Sequence, residues 1–305
     1  MGKDITDFRF QILDFRFDRR NKVQLSIIIV NYNSRSLIEQ SLVSVDKAIT
    51  GINNEIIVVD NNSKDGSKEY LPSKFTGVQF ILNNENPGFA KACNQGFKIS
   101  SGEHILFLNP DTVLSETCLT DCISFLKTHE DAGAVGVRML DEKGKFLKES
   151  KRGLPSPSAS FYKLFGLTAI FPGSKKIAKY YQGHLPENEN NPVEVLSGAF
   201  MMIRRPVFEK VNGFDESFFM YGEDIDLSLR ISQLGYKNYY LGKISITHLK
   251  GGSTTYNYKY VKDFYGAMKL FVKKHYNDKS TAYRLFLQAG INFRKILAII
   301  ALPFR

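Results

Sequence analysis

Glu103-His104-Ile105-Leu106-Phe107-Leu108-Asn109-Pro110-Asp111-Thr112 is the stretch on which the reading of this chain turns. The apolar run Ile105 to Leu108 is too short for a helix and reads as a strand buried on both faces. Pro110 cannot donate to a sheet ladder, so the strand stops there. Asp111 is then held just beyond the carboxyl end of a central strand, where open α/β sheets place their ligands. A carboxylate in that position suits a hard divalent cation, which prefers oxygen donors. The alternative is that Asp111 caps the helix that follows.

Working outward, the same pattern recurs. Toward the N-terminus, Leu25 to Val30 is a buried-strand signal that ends in Asn31-Tyr32-Asn33-Ser34. Ser34 is a good N-cap for a helix running to about Ile49. Glu55 to Asp60 is a second strand, ending in the polar turn Asp60-Asn61-Asn62-Ser63-Lys64-Asp65-Gly66-Ser67. Val78 to Leu82 is a third, followed by Asn86-Pro87-Gly88-Phe89-Ala90, which opens a helix carrying Asn94. Toward the C-terminus, Gly133 to Val137 is a further strand. Strands alternating with helices predict an α/β fold with a doubly wound, mostly parallel sheet. Acids crowd the first turn of a predicted helix from Glu223 to Leu234, which suits the helix dipole. The stretch from Lys151 to Pro192 carries five prolines and reads as a long connection, a candidate binding loop. Residues 1–24 hold the duplicated Asp7-Phe8-Arg9-Phe10 and Asp14-Phe15-Arg16-Phe17 and read as a leader packed on the surface.

Composition narrows the partners. The chain has 305 residues, 43% hydrophobic, enough for one large domain with an appendage. Three Cys without a C-x-x-C pair argue for reduced thiols in a cytosolic setting and against a zinc site. No signal peptide and no apolar run of about 20 residues is visible. The formal charge of +10 favours an anionic partner. Among such partners nucleic acid ranks last, since no zinc finger or RNA-recognition signature is present. There is no G-x-G-x-x-G after the first strand and no G-x-x-x-x-G-K-[ST] anywhere. That counts against dinucleotide dehydrogenases and P-loop enzymes. A nucleotide read by Asp60 and polar turns, with a metal on its diphosphate, needs neither motif.

Five ordered segments carry a resemblance. They are Ser26 to Asn33, Val58 to Ser63, Asn86-Pro87-Gly88-Phe89 with Asn94, Leu108 to Thr112, and Gly222-Glu223-Asp224-Ile225-Asp226-Leu227 with Arg230. Together, from about Leu25 to Ser253, they resemble family 2 inverting glycosyltransferases, and most of all the rhamnosyltransferase-like branch. The resemblance implies a GT-A fold, Rossmann-like with a mixed sheet, over residues 25–255. It implies a nucleotide-sugar donor bound by Asn31, Tyr32, Asn33, Asp60, Asn62, Asn86, Gly88, Phe89, Asn94 and Asn109. Asp60 would read the nucleobase. Asn109-Pro110-Asp111 stands where many relatives have Asp-x-Asp, so Asp111 is the expected metal ligand, completed by His248. An imidazole suits Mn²⁺ better than Mg²⁺. Asp224 matches the catalytic base, with adjacent Glu223 as the alternative. Asp226 and Arg230, four apart, are expected to form a supporting ion pair. The Gln-x-x-Arg-Trp motif of processive synthases is absent, for the chain has no Trp; one sugar per encounter is the better fit.

The implied donor is a nucleotide deoxyhexose such as dTDP-rhamnose. The implied acceptor is a saccharide, possible in free or polyprenyl-linked form, at the inner face of the cytoplasmic membrane. Other readings are a transferase for another UDP-, GDP- or dTDP-sugar such as galactofuranose, and a non-catalytic sugar-nucleotide-binding protein. Residues 256–305 read as a basic helical extension. Lys259, Lys262, Lys269, Lys273, Lys274 and His275 interleave with Tyr260, Phe264, Leu270 and Phe271, and Arg294-Lys295 precede Ile296 to Leu302. The expectation is attachment to an anionic membrane surface; the alternative is packing on the core or a homodimer contact.

Overall fold

The computed structural model describes residues 22–156, 170–171, 173–176, 179–249 and 257–302. The duplicated N-terminal segments, part of the 151–192 connection and Gly251-Gly252-Ser253 lie outside the described residues.

The sheet begins with β1 (Leu25–Asn31), β2 (Asn54–Asp60), β3 (Gln79–Leu82) and β4 (His104–Leu108), all parallel. Helices α1 (Arg35–Ala48), α2 (Ser67–Lys74) and α3 (Phe89–Ile99) connect them. Successive residues of β1 point to opposite faces, as strand geometry requires. Leu25, Ile27 and Ile29 enter one core cluster with α1 and α4 (Cys118–Thr128), while Ile28 and Val30 enter a second with α3. β1 is buried along its whole length, and so is β4. Each such side chain contributes roughly 1.5–3 kcal/mol.

After β4 the chain forms β5 (Thr112–Leu114), β6 (Ala132–Leu140), β7 (Lys151–Arg152), β8 (Asn190–Val193), β9 (Val195–Leu196), β10 (Phe200–Arg204) and β11 (Lys237–His248). The main sheet runs β3-β2-β1-β4-β10-β6-β11-β5, with β8 also on β11. β10 is antiparallel to both β4 and β6, which makes β6 and β11 run with β1 to β4. The sheet is thus mixed but mostly parallel. β7 and β9 form a separate two-stranded ribbon. Helices α5 (Arg205–Lys210) and α6 (Glu223–Gln233) follow β10, and α7 (Tyr258–His275) and α8 (Thr281–Ile300) follow β11.

Two local expectations are corrected. Asp111 caps no helix, because β5 intervenes and α4 starts only at Cys118. Ser34 stands at the N-cap of α1 but its hydroxyl donates to the Tyr32 carbonyl (3.2 Å). The carboxylate of Asp65, from the next loop, accepts from Arg35 N instead (2.8 Å). All three Cys are buried free thiols.

Candidate active site

A cleft of about 500 Å³ opens where β1, β2 and β4 end. Among the predicted residues, Tyr32, Asn86, Gly88, Phe89, Asn109, Glu223, Asp224 and His248 line it. Asn31, Asp60 and Asp111 are buried beneath that lining, whereas Asn33 and Asn62 lie outside the cleft, in the turns after β1 and β2. The Asp60 carboxylate accepts from the Asn31 amide (2.7 Å) and from Ser63 N (2.8 Å), tying the ends of β1 and β2 together. Asn33 and Asn62 both adopt left-handed backbone, which Asn tolerates better than most residues. Asn33 Oδ1 accepts from Lys64 N (2.6 Å), and the Asn62 amide donates to Asn84 O (2.7 Å). Asn94 is not brought to the cleft. Its amide donates to Phe214 O (2.9 Å) and its carbonyl accepts from Phe214 N (3.0 Å), which pins α3 to the turn before α6.

Gly88 shows why this corner needs glycine. Its φ is +93°, and a Cβ there would sit 2.5 Å from the Phe219 carbonyl oxygen. Phe89 N donates to that same oxygen (2.8 Å), so the two loops meet backbone to backbone.

β11 brings the candidate metal residues together. A register shift between Leu241 and Ser245 lets its second half leave β8's side and pair with β5. His248 then lies opposite Thr112, and Leu249 N donates to Asp111 O (2.8 Å). The imidazole Nε2 comes 3.1 Å from Asp111 Oδ1. The carboxylate is buried, and His248 Nδ1 is buried with no hydrogen-bond partner among the described residues. One oxygen and one nitrogen donor, side by side, fit a divalent cation of Mn²⁺ type. No cluster of three His, Cys, Asp or Glu is present among the described residues, so further donors would come from ligand oxygens or water.

The carboxylates at the start of α6 differ sharply. Gly222, with φ +84°, turns the chain into the helix and leaves Glu223 buried at 7% exposure. Burial, and then the neighbouring Asp224 charge, push the Glu223 pKa up to about 8. Its Oε2 has no hydrogen-bond partner among the described residues. Asp224 faces the cleft, and its Oδ2 accepts from Gly198 N (3.1 Å) and pairs with the Arg152 guanidinium. Burial alone would lower the Arg152 pKa, but the Asp224 charge drives it up instead. Strand β7 delivers this arginine. Its neighbour Lys151 points elsewhere and donates to the carbonyls of Gln182 and Leu185, both at 2.8 Å.

The expected Asp226–Arg230 pair is present, with Arg230 Nε 2.7 Å from Asp226 Oδ2. It is part of something larger. Asp226 is wholly buried, and its Oδ1 meets Lys274 Nζ (2.7 Å) and His275 Nε2 (2.6 Å). Lys274 also reaches Asp215 (2.6 Å). Burial would raise the Asp226 pKa, but His275 and Lys274 hold it below the usual range. Lys274 and His275 are therefore committed inside the fold, a correction to their reading as lipid-facing residues. Helix α7 also buries Val261, Ala267, Phe271 and Val272 and sends Tyr260 and Phe264 into the cleft wall. These two rings stack at 6.0 Å, with Tyr221 edge-on to Tyr260 at 5.2 Å.

Reasoning from sequence missed Arg152, the α7 aromatics and Asn61, whose amide reaches Asn86 Oδ1 (3.2 Å) and Gly88 O (3.3 Å). Asn61 could have been found from its place inside the turn after β2. Arg152 sits in no motif.

A nucleotide-sized cleft at the strand ends, walled by acids and an acid–imidazole pair, defines the GT-A class of glycosyltransferases. The chain belongs to glycosyl transferase family 2, whose model matches residues 26–211. Residues 185–275 also match the model described as the N-terminal domain of galactosyltransferase. Within the family it sits with the rhamnosyltransferase-like branch. It is similar to the N-acetylglucosaminyl-diphospho-decaprenol L-rhamnosyltransferase of Mycobacterium tuberculosis, 27% identical over 75% of this chain and 77% of that protein. It is also similar to the rhamnosyltransferase WbbL of Escherichia coli, 28% identical over 73% of this chain and 82% of that one. Among solved structures, the mannosyltransferase PcManGT of Pyrobaculum calidifontis, in complex with GDP-Man and Mn²⁺, superposes with a TM-score of 0.57. It is 15% identical, and the match covers 92% of this chain and 73% of that one. That likeness is one of fold.

Proposed function

We propose that this glycosyltransferase is a metal-dependent, inverting enzyme that moves one sugar from dTDP-rhamnose to a polyprenyl-diphosphate-linked saccharide in bacterial surface glycan synthesis. The observation that carries the reading is the juxtaposition in one cleft of Asp224, Asn109 and His248, with Asp111 buried beneath against the imidazole. The turns after β1 and β2 form the side of the cleft assigned to the nucleotide, with Tyr32 and Asn61 at its surface and Asp60 beneath.

Asp224 takes the proton of the acceptor hydroxyl as its oxygen bonds to the anomeric carbon and the carbon–oxygen bond to the diphosphate breaks. Attack from the face opposite the leaving group inverts the configuration. Supporting Asp224 over Glu223 is environment: Asp224 is paired with Arg152 and Gly198 N, whereas burial and the Asp224 charge push the Glu223 pKa up to about 8. Arg152 orients the Asp224 carboxylate and must yield or share it when an acceptor arrives. Asp111 and His248 would hold a divalent cation, which when bound offsets charge on the leaving diphosphate. A lipid-linked acceptor would put the reaction at the inner face of the cytoplasmic membrane.

The galactosyltransferase match over residues 185–275 favours, as a second reading, a different hexosyl donor such as UDP-galactofuranose. A thermal-shift panel of dTDP-rhamnose, UDP-galactofuranose, UDP-glucose and GDP-mannose, with and without Mn²⁺, separates the two. A ligand at a hundred times its Kd stabilises by about 2.7 kcal/mol, a shift of several degrees. The largest shift is expected from dTDP-rhamnose with Mn²⁺. A larger one from another sugar nucleotide replaces the donor, and no shift from any of them refutes donor binding.

A further inference from the structure

We propose that the first turns of helix α7 form the acceptor subsite, where Tyr260, Asp263 and Phe264 hold the terminal sugar of the acceptor beside Asp224. Tyr260, Asp263 and Phe264 stand at i, i+3 and i+4, so they share one face of the helix, and all three line the cleft. Farther along, the same face carries Ala267 and Phe271, which are buried in a core cluster with Phe218 and Ile225. The apolar face of α7 thus runs out of the core and into the cleft. Among the described residues, neither Tyr260 nor Phe264 belongs to a core cluster, and both are half-buried. A third ring completes the corner. Tyr221 has φ +69°, a conformation that a bulky residue rarely adopts and that the surrounding structure has to impose. Its ring stands edge-on to Tyr260 at 5.2 Å and to Phe264 at 5.9 Å. Tyr221 is three residues ahead of Asp224, which sets this corner next to the proposed base.

The chemistry of the corner selects its occupant. A pyranose offers C–H groups on its face and hydroxyls around its rim. Half-buried rings suit the face, and a carboxylate, which only accepts, suits the hydroxyls. Asp263 supplies that carboxylate: among the described residues it has no hydrogen bond or ion pair, and it is half-buried in the cleft wall. The two Lys and Arg side chains that line the cleft are engaged. Arg152 is paired with Asp224, and Lys259 stands over the Phe219 ring at 5.8 Å. Free acid and engaged bases fit a neutral sugar better than a phosphate. That this sugar belongs to the acceptor rests on the base role proposed for Asp224; that the corner binds a sugar does not.

The test is saturation-transfer NMR on the full-length protein with the methyl glycosides of glucose, galactose, mannose and N-acetylglucosamine, titrated without metal. At least one glycoside is expected to bind, with saturation strongest at its ring C–H protons. Tyr260→Leu/Phe264→Leu and, separately, Asp263→Ala should each weaken that binding by about tenfold. Tyr260→Phe keeps the ring and should stay within about threefold of the parent. Inorganic pyrophosphate should not displace the glycoside. The melting temperature of Asp263→Ala should match the parent, and both weakened variants should keep the parent thermal shift with sugar nucleotide. No glycoside bound by the parent, or equal binding by the parent and both variants, overturns the proposal. Displacement by pyrophosphate also overturns it and assigns the corner to a phosphate. A lost sugar-nucleotide shift in Asp263→Ala overturns it too, by giving the corner to the donor. Glycoside binding that the variants lose, in a parent without any sugar-nucleotide shift, supports the subsite while the donor reading fails.

Discussion

Glu223→Gln is the substitution whose effect can be worked most fully from the structure. The side chain is buried, Oε2 has no partner, and the Asp224 charge is next to it. Its folded pKa of about 8 stands against an ordinary value of 4.5. The difference, 8 − 4.5 = 3.5, multiplied by about 1.36 kcal/mol per unit gives an upper bound of about 5 kcal/mol. The sign follows from proton counting. Between about 4.5 and 8 the folded protein keeps a proton that the unfolded chain has released, so stability falls as pH rises through that window. Below it the neutral acid costs nothing extra, and above it the loss levels off. Glutamine is isosteric and cannot ionise. Urea unfolding from pH 5 to 9 should therefore show the two proteins nearly equal at pH 5. The glutamine variant should gain steadily over the parent, by up to about 5 kcal/mol, at pH 9. At pH 7 the variant should keep transfer within about tenfold, since the base role is assigned to Asp224. Parallel stability curves across the whole range would refute the argument, because a solvated or well-paired Glu223 gives no such divergence.

Other outcomes follow from the same geometry. Asp226→Asn leaves Arg230, Lys274 and His275 facing one another without their buried counter-charge, and should cost about 3–5 kcal/mol, read as a lowered melting temperature. Asp111→Ala and His248→Ala should each weaken the Mn²⁺ dependence of donor binding, and the double variant should lose much less than the sum, as calorimetry would show. If His248→Ala leaves that dependence intact, the imidazole is structural. Gly88→Ala forces a Cβ against the Phe219 carbonyl at positive φ and should cost about 1–3 kcal/mol and weaken donor binding; wild-type values for both would contradict the close approach.

Much of this was legible in the sequence because the central strands are buried on both faces. Ile27 to Val30 and Ile105 to Leu108 are runs that only a doubly covered strand explains, and the Asp-rich start of α6 signals its own helix. Direction was not legible: Phe200 to Arg204 reads the same whether parallel or antiparallel, and only pairing with β4 and β6 fixes it. The Asp111–His248 approach depends on a register shift inside β11, which no residue type announces. Asn94 belongs to a motif of the family, yet its amide is consumed by the Phe214 backbone. Arg152 comes from a two-residue strand whose placement is set by β9. Lys274 and His275 resemble lipid-facing bases because their partner Asp226 lies some fifty residues away in sequence and is wholly buried.

The central claim is that Asp224 acts on the acceptor while the rest of the cleft binds the donor. Asp224→Asn tests it, with sugar transfer to a polyprenyl-diphosphate acceptor and donor affinity by calorimetry measured on the same protein. Loss of a general base should lower transfer by about 10²–10⁴-fold, while donor affinity stays within about threefold of the parent. Retained transfer, or a loss of donor affinity large enough to account for the lost transfer, would contradict the assignment.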